Sequence, residues 1–157
     1  MRSADQEVQA LIHHGIVESP YFRSLVARLE ATDVIVYVNR DANLPALVEG
    51  HMRFLGAAGG RRYVVVSLAF GRSELRTVAT LGHELQHALE VAEHPDIVDA
   101  ESMRHAYATF GDVTGTIGAS DAYDTQAAIH AGQRIWYEVS NRVARQPDSS
   151  YGLTVAP

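Results

Sequence analysis

The chain has 157 residues, 46% of them hydrophobic and 20% charged, with a net charge of −6 and no cysteine. That length makes one domain with its own core, and an acidic balance unrelieved by any basic cluster argues against a nucleic-acid surface. Lack of cysteine excludes disulfides and thiolate metal sites, so any metal here must use His, Asp or Glu.

Taken in order, residues 5–15 read as a short helix ending near Gly15, and Ser19-Pro20 opens another, with Tyr21, Phe22, Leu25, Val26 and Leu29 at helical spacing. Asp33 to Val38 is β-branched and continuous, a buried strand. A turn-rich stretch from Asn39 to Asn43 leads to a weaker strand over His51–Leu55, stopped at Gly56, and Gly59-Gly60 supplies a turn. Arg62 to Leu68 is the second strong strand. After Gly71, Ser73 caps a helix from about Glu74 to Glu93, which His94-Pro95 ends. A further helix is predicted over Asp96–Phe110, then an exposed loop over 111–120 and a last helix over Asp121–Arg145. Residues 146–157 read as a tail outside a core of about 19–145. Helix, small sheet, motif helix and more helices make an α+β order. No apolar run approaches membrane-spanning length. The first residues, Met1-Arg2-Ser3-Ala4-Asp5-Gln6-Glu7, hold no apolar signal core, so the cytoplasm is the default compartment unless a leader is encoded upstream.

The chemistry concentrates in His83-Glu84-Leu85-Gln86-His87, an HExxH motif inside the Glu74–Glu93 helix. Residues i and i+4 share a helical face, close enough for two imidazoles to grip one ion. The glutamate beside the first histidine is then placed to act as general base toward a water activated by that ion. At 100° per residue, Val78, Leu81, Leu85, Ala88, Leu89 and Ala92 gather on one side. His83 and His87 fall opposite, with Glu90 and His94, on what reads as a polar face. Glu90 is too far along the helix to join both histidines on one ion. It reads as a surface carboxylate or, second, as a group supporting a ligand.

Leu81 through Ala92 (LGHELQHALEVA), following Asp33 through Val38 (DVIVYV), resembles the zincin metallopeptidases, particularly small gluzincin-like bacterial forms. The similarity spans about Ser19 to Val143. It implies a small zincin-like domain, with a short mixed sheet and an active-site helix packed against further helices, and a zinc-dependent peptidase. A catalytic zinc takes three protein ligands and leaves one position open. The resemblance implies a carboxylate at the head of a downstream helix, which here is Asp124; Glu101 and His105 stay open as alternatives. Zn2+ is thus expected on His83, His87 and Asp124.

With such an ion, Glu84 would take the proton as water attacks a carbonyl and pass it to the leaving amine. Tyr63, His105, Tyr107 and Tyr123 are candidate donors to the oxyanion. The edge of the Tyr63–Leu68 strand is expected to pair with an extended peptide. Short loops in a small domain predict a shallow cleft, so peptides or flexible protein segments are the expected substrates. The rival reading is a non-catalytic, metal-stabilised peptide- or protein-binding module, in which a fourth protein ligand closes the site.

Overall fold

A computed structural model describes residues 1–117 and 120–143. Helices α1 (Gln6–Glu18) and α2 (Pro20–Glu30) precede strands β1 (Val34–Arg40), β2 (Gly50–Ala58) and β3 (Arg61–Leu68). Helices α3 (Glu74–Glu93) and α4 (Ala100–Phe110), a hairpin of β4 (Asp112–Ile117) and β5 (Ser120–Asp124), and helix α5 (Gln126–Val143) follow. The protein is an α+β domain with a mixed three-stranded sheet, as its element order implied.

The sheet has the order β1-β3-β2, with β1 parallel and β2 antiparallel to β3. Val36, Val64 and Phe54 stand in register across it and are buried, while Tyr37, Val65 and Arg53 occupy the other face. The period of two therefore selects which face the helices cover. Because β3 is the central strand, it has no free edge. The edge that can accept a peptide belongs to β2, which corrects the expectation placed on Tyr63–Leu68.

Helix α3 lies across the covered face, and its expected stripe is buried: Val78, Leu81, Leu85 and Ala88 have no exposed surface. Helix α5 packs closely along it because glycines stand where the two meet. A Cβ at Gly82 would fall 2.0 Å from Ile135 Cδ1, and one at Gly132 would fall 3.3 Å from His83 Cβ. Likewise Gly15 does not end α1; the helix runs on to Glu18, and the missing side chain admits the ring of Phe22, 2.9 Å from a Cβ placed there.

The C-terminal end of α3 is held by Arg62. Its guanidinium makes two 2.7 Å bonds to the Asp33 carboxylate and donates to the carbonyls of Val91 at 2.7 Å and His94 at 2.8 Å. These carbonyls sit where a helix runs out of internal partners. The Arg62 side chain is only 8% exposed, so its bonds to the carbonyls form away from water, whereas Asp33 is 40% exposed. Replacing it by methionine should cost about 1–3 kcal/mol, chiefly because the helix-end carbonyls lose their buried donor. Denaturant unfolding measures this, and a loss under about 1 kcal/mol would reject the role given to Arg62.

The segment after α3 departs from expectation. Asp99 caps α4 through a capping box with Ser102, so the helix starts at Ala100 and not at Asp96. The loop expected over 111–120 is largely β-hairpin: β4 pairs with β5 from Asp112↔Asp124 to Ile117↔Ser120. Accordingly α5 starts at Gln126, after Thr125, whose hydroxyl accepts from the Ala128 N–H at 3.1 Å. The expected tail over 146–157, and residues 144 and 145 of the expected last helix, lie outside the described residues.

Candidate metal centre

The two motif histidines point their Nε2 atoms at one carboxylate. His83 Nε2 lies 3.4 Å from Asp124 Oδ1 and His87 Nε2 lies 3.6 Å from it. The imidazole rings meet edge to face, 4.9 Å between centroids. One donor atom from each of His83, His87 and Asp124 falls within 4.8 Å of the others. Donors about 2.0–2.1 Å from a tetrahedral ion stand about 3.3–3.4 Å from each other, a spacing that the two His–Asp124 distances match and that the full set meets once its widest separation, within 4.8 Å, closes.

Asp124 arrives from a different direction than its sequence position suggested. It ends β5, two residues before α5, and Thr125 takes the N-cap. It therefore does not sit in the first helical turn, where the helix dipole alone would favour an acid. Glu101 and His105 are on the outer face of α4, 74% and 71% exposed, and face each other at 3.7 Å. The structure brings neither to the histidines.

What sequence reading placed on a polar face is enclosed instead. Glu90 is 7% exposed, which overturns its reading as a surface carboxylate. Its Oε2 lies 2.8 Å from His87 Nδ1 and accepts from the Tyr107 hydroxyl at 3.0 Å, while Oε1 accepts from Thr125 at 2.6 Å. A carboxylate on Nδ1 fixes the ring and leaves Nε2 facing Asp124, the usual support for a metal-binding histidine. Glu90→Gln should therefore weaken zinc binding by about 10–100-fold. Chelator competition tests this, and unchanged affinity would make Glu90 a packing residue only.

Burial works against a charged His87, but the Asp124 carboxylate 3.6 Å away, the hydrogen bond with Glu90 and the nearby Glu84 override it and raise its pKa to about 10. Burial and the neighbouring His87 lower that of His83. Burial also opposes ionisation of Asp124 and Glu90, yet the neighbouring His87 pulls both below the ordinary carboxylate range. Around neutral pH a proton on His87 thus stands where a metal's charge would. Metal uptake at pH 7 should release about one proton and tighten as pH rises toward 10. Calorimetry in buffers of different ionisation enthalpy reads that number, and zero release would contradict a protonated His87.

Glu84 is buried at 6% exposure beside this cluster. Burial pushes its pKa up to about 7, against the charge of His87 and a hydrogen bond from the backbone of Met52. Gly50 makes room for it: a Cβ there would fall 2.9 Å from Glu84 Oε1 and 2.6 Å from Thr80 Cγ2. The cluster opens into a cleft of about 1510 Å3 walled by β2, α3, α4 and α5.

No protein-family model matches this chain, and no curated protein or solved structure matches it either.

Of the expected oxyanion donors, Tyr63 stacks on Tyr37 at 6.4 Å and does not line the cleft. His105 faces Glu101, and Tyr107 donates to Glu90 and to the His87 carbonyl at 3.1 Å. Tyr123 lines the cleft. Sequence reasoning missed the supporting pair Tyr107–Thr125 and the role of Gly50. Glu90 had a usable signal, since i+3 from His87 shares its face. The contacts of Tyr107 and Thr125 have none, because each closes across a separate element.

Proposed function

We propose that this protein is a zinc-dependent peptidase of zincin type. The observation that carries the reading is the convergence of His83, His87 and Asp124 donor atoms within 4.8 Å, beside a buried Glu84 and at the wall of an open cleft. Zinc bound there would supply a Lewis acid that polarises a carbonyl and acidifies water. His83 and His87 would hold it from α3, and Asp124 from the end of β5. Glu84, with a pKa near 7, is suited to accept a proton from the attacking water and return it to the leaving amine. Glu90, Tyr107 and Thr125 orient His87. The free edge of β2, from Gly50 to Phe54, lines the cleft and is suited to align an extended peptide or flexible protein segment.

Three donors leave the coordination open, which favours catalysis over a purely structural metal. A closed site in a binding module needs a fourth protein ligand. Among the described residues Glu90 is committed to His87 Nδ1, and Glu101 and His105 point away. The test is zinc content by elemental analysis together with cleavage of a mixed peptide library. One zinc per chain with cleavage supports the reading, whereas zinc without any cleavage returns the protein to the binding-module class.

A further inference from the structure

Helix α3 is the floor of the cleft, and its neighbours fix two of the walls. At 100° per residue Arg76, Thr80, His83 and His87 fall within about 60° of one another, and all four line the cleft. Strand β2 approaches one side of this stripe, where a Cβ at Gly50 would meet Thr80 Cγ2 at 2.6 Å and Glu84 Oε1 at 2.9 Å. Helix α5 approaches the other, where a Cβ at Gly132 would meet His83 Cβ at 3.3 Å and the Ala79 carbonyl oxygen at 3.4 Å. The two helices run in opposite directions. Thr125, just before α5, reaches Glu90 near the end of α3 at 2.6 Å, whereas Gly132 reaches back to Ala79.

That direction places Trp136. It lies one turn beyond Gly132, about 6 Å further from the metal donors along the axis, and shares the cleft-facing side of α5 with Ile129 and Gly132. It therefore stands beside the first two turns of α3, level with Arg76 and Ala79. The facing wall at this level is the segment before β2. Arg72 Nη2 donates to the Ala46 carbonyl at 3.1 Å and Arg76 Nε to Glu49 Oε2 at 2.6 Å, which holds Leu47 and Val48 over the same end of α3. The charge of Arg76 between the walls is met by Glu49. Leu47 is 95% exposed and Trp136 49%. Single apolar groups in water are ordinary, but these two stand on facing walls of one cleft, beside the metal donors. Tyr137, 66% exposed, is turned out of the cleft by its 100° step from Trp136.

We propose that the end of the cleft between Leu47 and Trp136 is a specificity subsite for a large apolar side chain, leucine or phenylalanine, of a bound peptide. This rests on the peptidase reading and deepens it by naming a substrate class. An indole offers a broad apolar face and has little conformational freedom to lose. An extended chain advances about 3.3 Å per residue, so the side chain that reaches Trp136 belongs to the first or second residue from the reacting bond, on the side of the α3 N-terminus.

Binding is readable without cleavage, because Trp136 is the chain's one tryptophan and its emission reports contact directly. Acetylated, amidated octapeptides of Ala and Gln, with a single Leu, Phe or Asp moved through successive positions, would be titrated against the protein. Anisotropy of the labelled peptides extends the measurement to variants without the indole, and cleavage would be followed in parallel. At one position Leu and Phe should bind about tenfold tighter than Ala, near the lower end for burying such a side chain, and shift the emission to the blue. That preference should fall to near unity in Trp136→Ala, return in Trp136→Phe, shrink in Leu47→Ser and stay unchanged in Tyr137→Ala. Rescue by phenylalanine separates a lost contact from a misfolded chain. Equal binding at every position, binding of no peptide, or a preference that survives Trp136→Ala overturns the proposal. Self-association lost in both Trp136→Ala and Tyr137→Ala, without any peptide preference, also overturns it by making this face a contact between copies. Preferential binding without cleavage keeps the apolar subsite and sinks the peptidase reading. Cleavage without preference does the reverse.

Discussion

On the proposed peptidase reading, Glu84→Gln is expected to retain zinc binding and lose hydrolysis by about 10²–10⁴-fold, the range for removing a general base. Glutamine keeps the shape beside Gly50 and Met52 but cannot hold the transferred proton. The same substitution should stabilise the metal-free protein. Glu84 has its folded pKa raised to about 7 from 4.5, so the folded state resists an ionisation that the unfolded chain undergoes freely. The resulting destabilisation is absent below pH 4.5, grows between 4.5 and 7, and is complete above 7. Two and a half units correspond to at most about 3 kcal/mol. Unfolding of metal-free wild type and variant at pH 8 and pH 4 should therefore show the variant more stable at pH 8, with the gap closing at pH 4. A variant that hydrolyses normally would remove Glu84 from the mechanism. One that is inactive but gains no stability at pH 8 would mean the carboxylate is better solvated than its burial implies.

Asp124→Ala should lower zinc affinity by more than about 100-fold, beyond the loss caused by removing an outer hydrogen-bond partner. Two imidazoles remain, but the negative charge that balances the ion and keeps His87 charged in its absence is gone. Glu101→Ala and His105→Ala should leave zinc content unchanged, because both side chains are more than 70% exposed on the far side of α4. Elemental analysis after dialysis, with zinc-dependent thermal shifts on all three variants, decides it. Zinc retained by Asp124→Ala and lost from either α4 variant would require α4 to rotate toward the histidines.

Much of this was legible locally. The Glu74–Glu93 helix has the ends its Ser73 cap and His94-Pro95 stop predict, and its apolar stripe is the buried one. The strongest strands, β1 and β3, are the β-branched runs, and β2 appears where the weaker run stood, lengthened past Gly56 by a bulge. Local signals sufficed because caps, period and branching act within a few residues. The β4–β5 hairpin was passed over although Val113, Thr114, Thr116 and Ile117 are strand formers, since its glycines dominated the reading.

The sequence by itself determined the helix that carries His83, Glu84 and His87, the spacing that sets both imidazoles on one face, and the exclusion of cysteine from any metal site. It also determined the α+β order. Only the tertiary structure decided that Asp124 closes on those imidazoles, that Glu90 is a buried support for His87, and that β2 is the free edge. Helical periodicity tells which residues share a face, but not what will cover that face. Here it is covered by α4, the hairpin and α5, brought in by contacts between residues distant in sequence. A polar stripe thereby becomes an enclosed site, where burial raises the proton affinity of Glu84 while the contacts made there override burial, raising that of His87 and lowering that of Glu90.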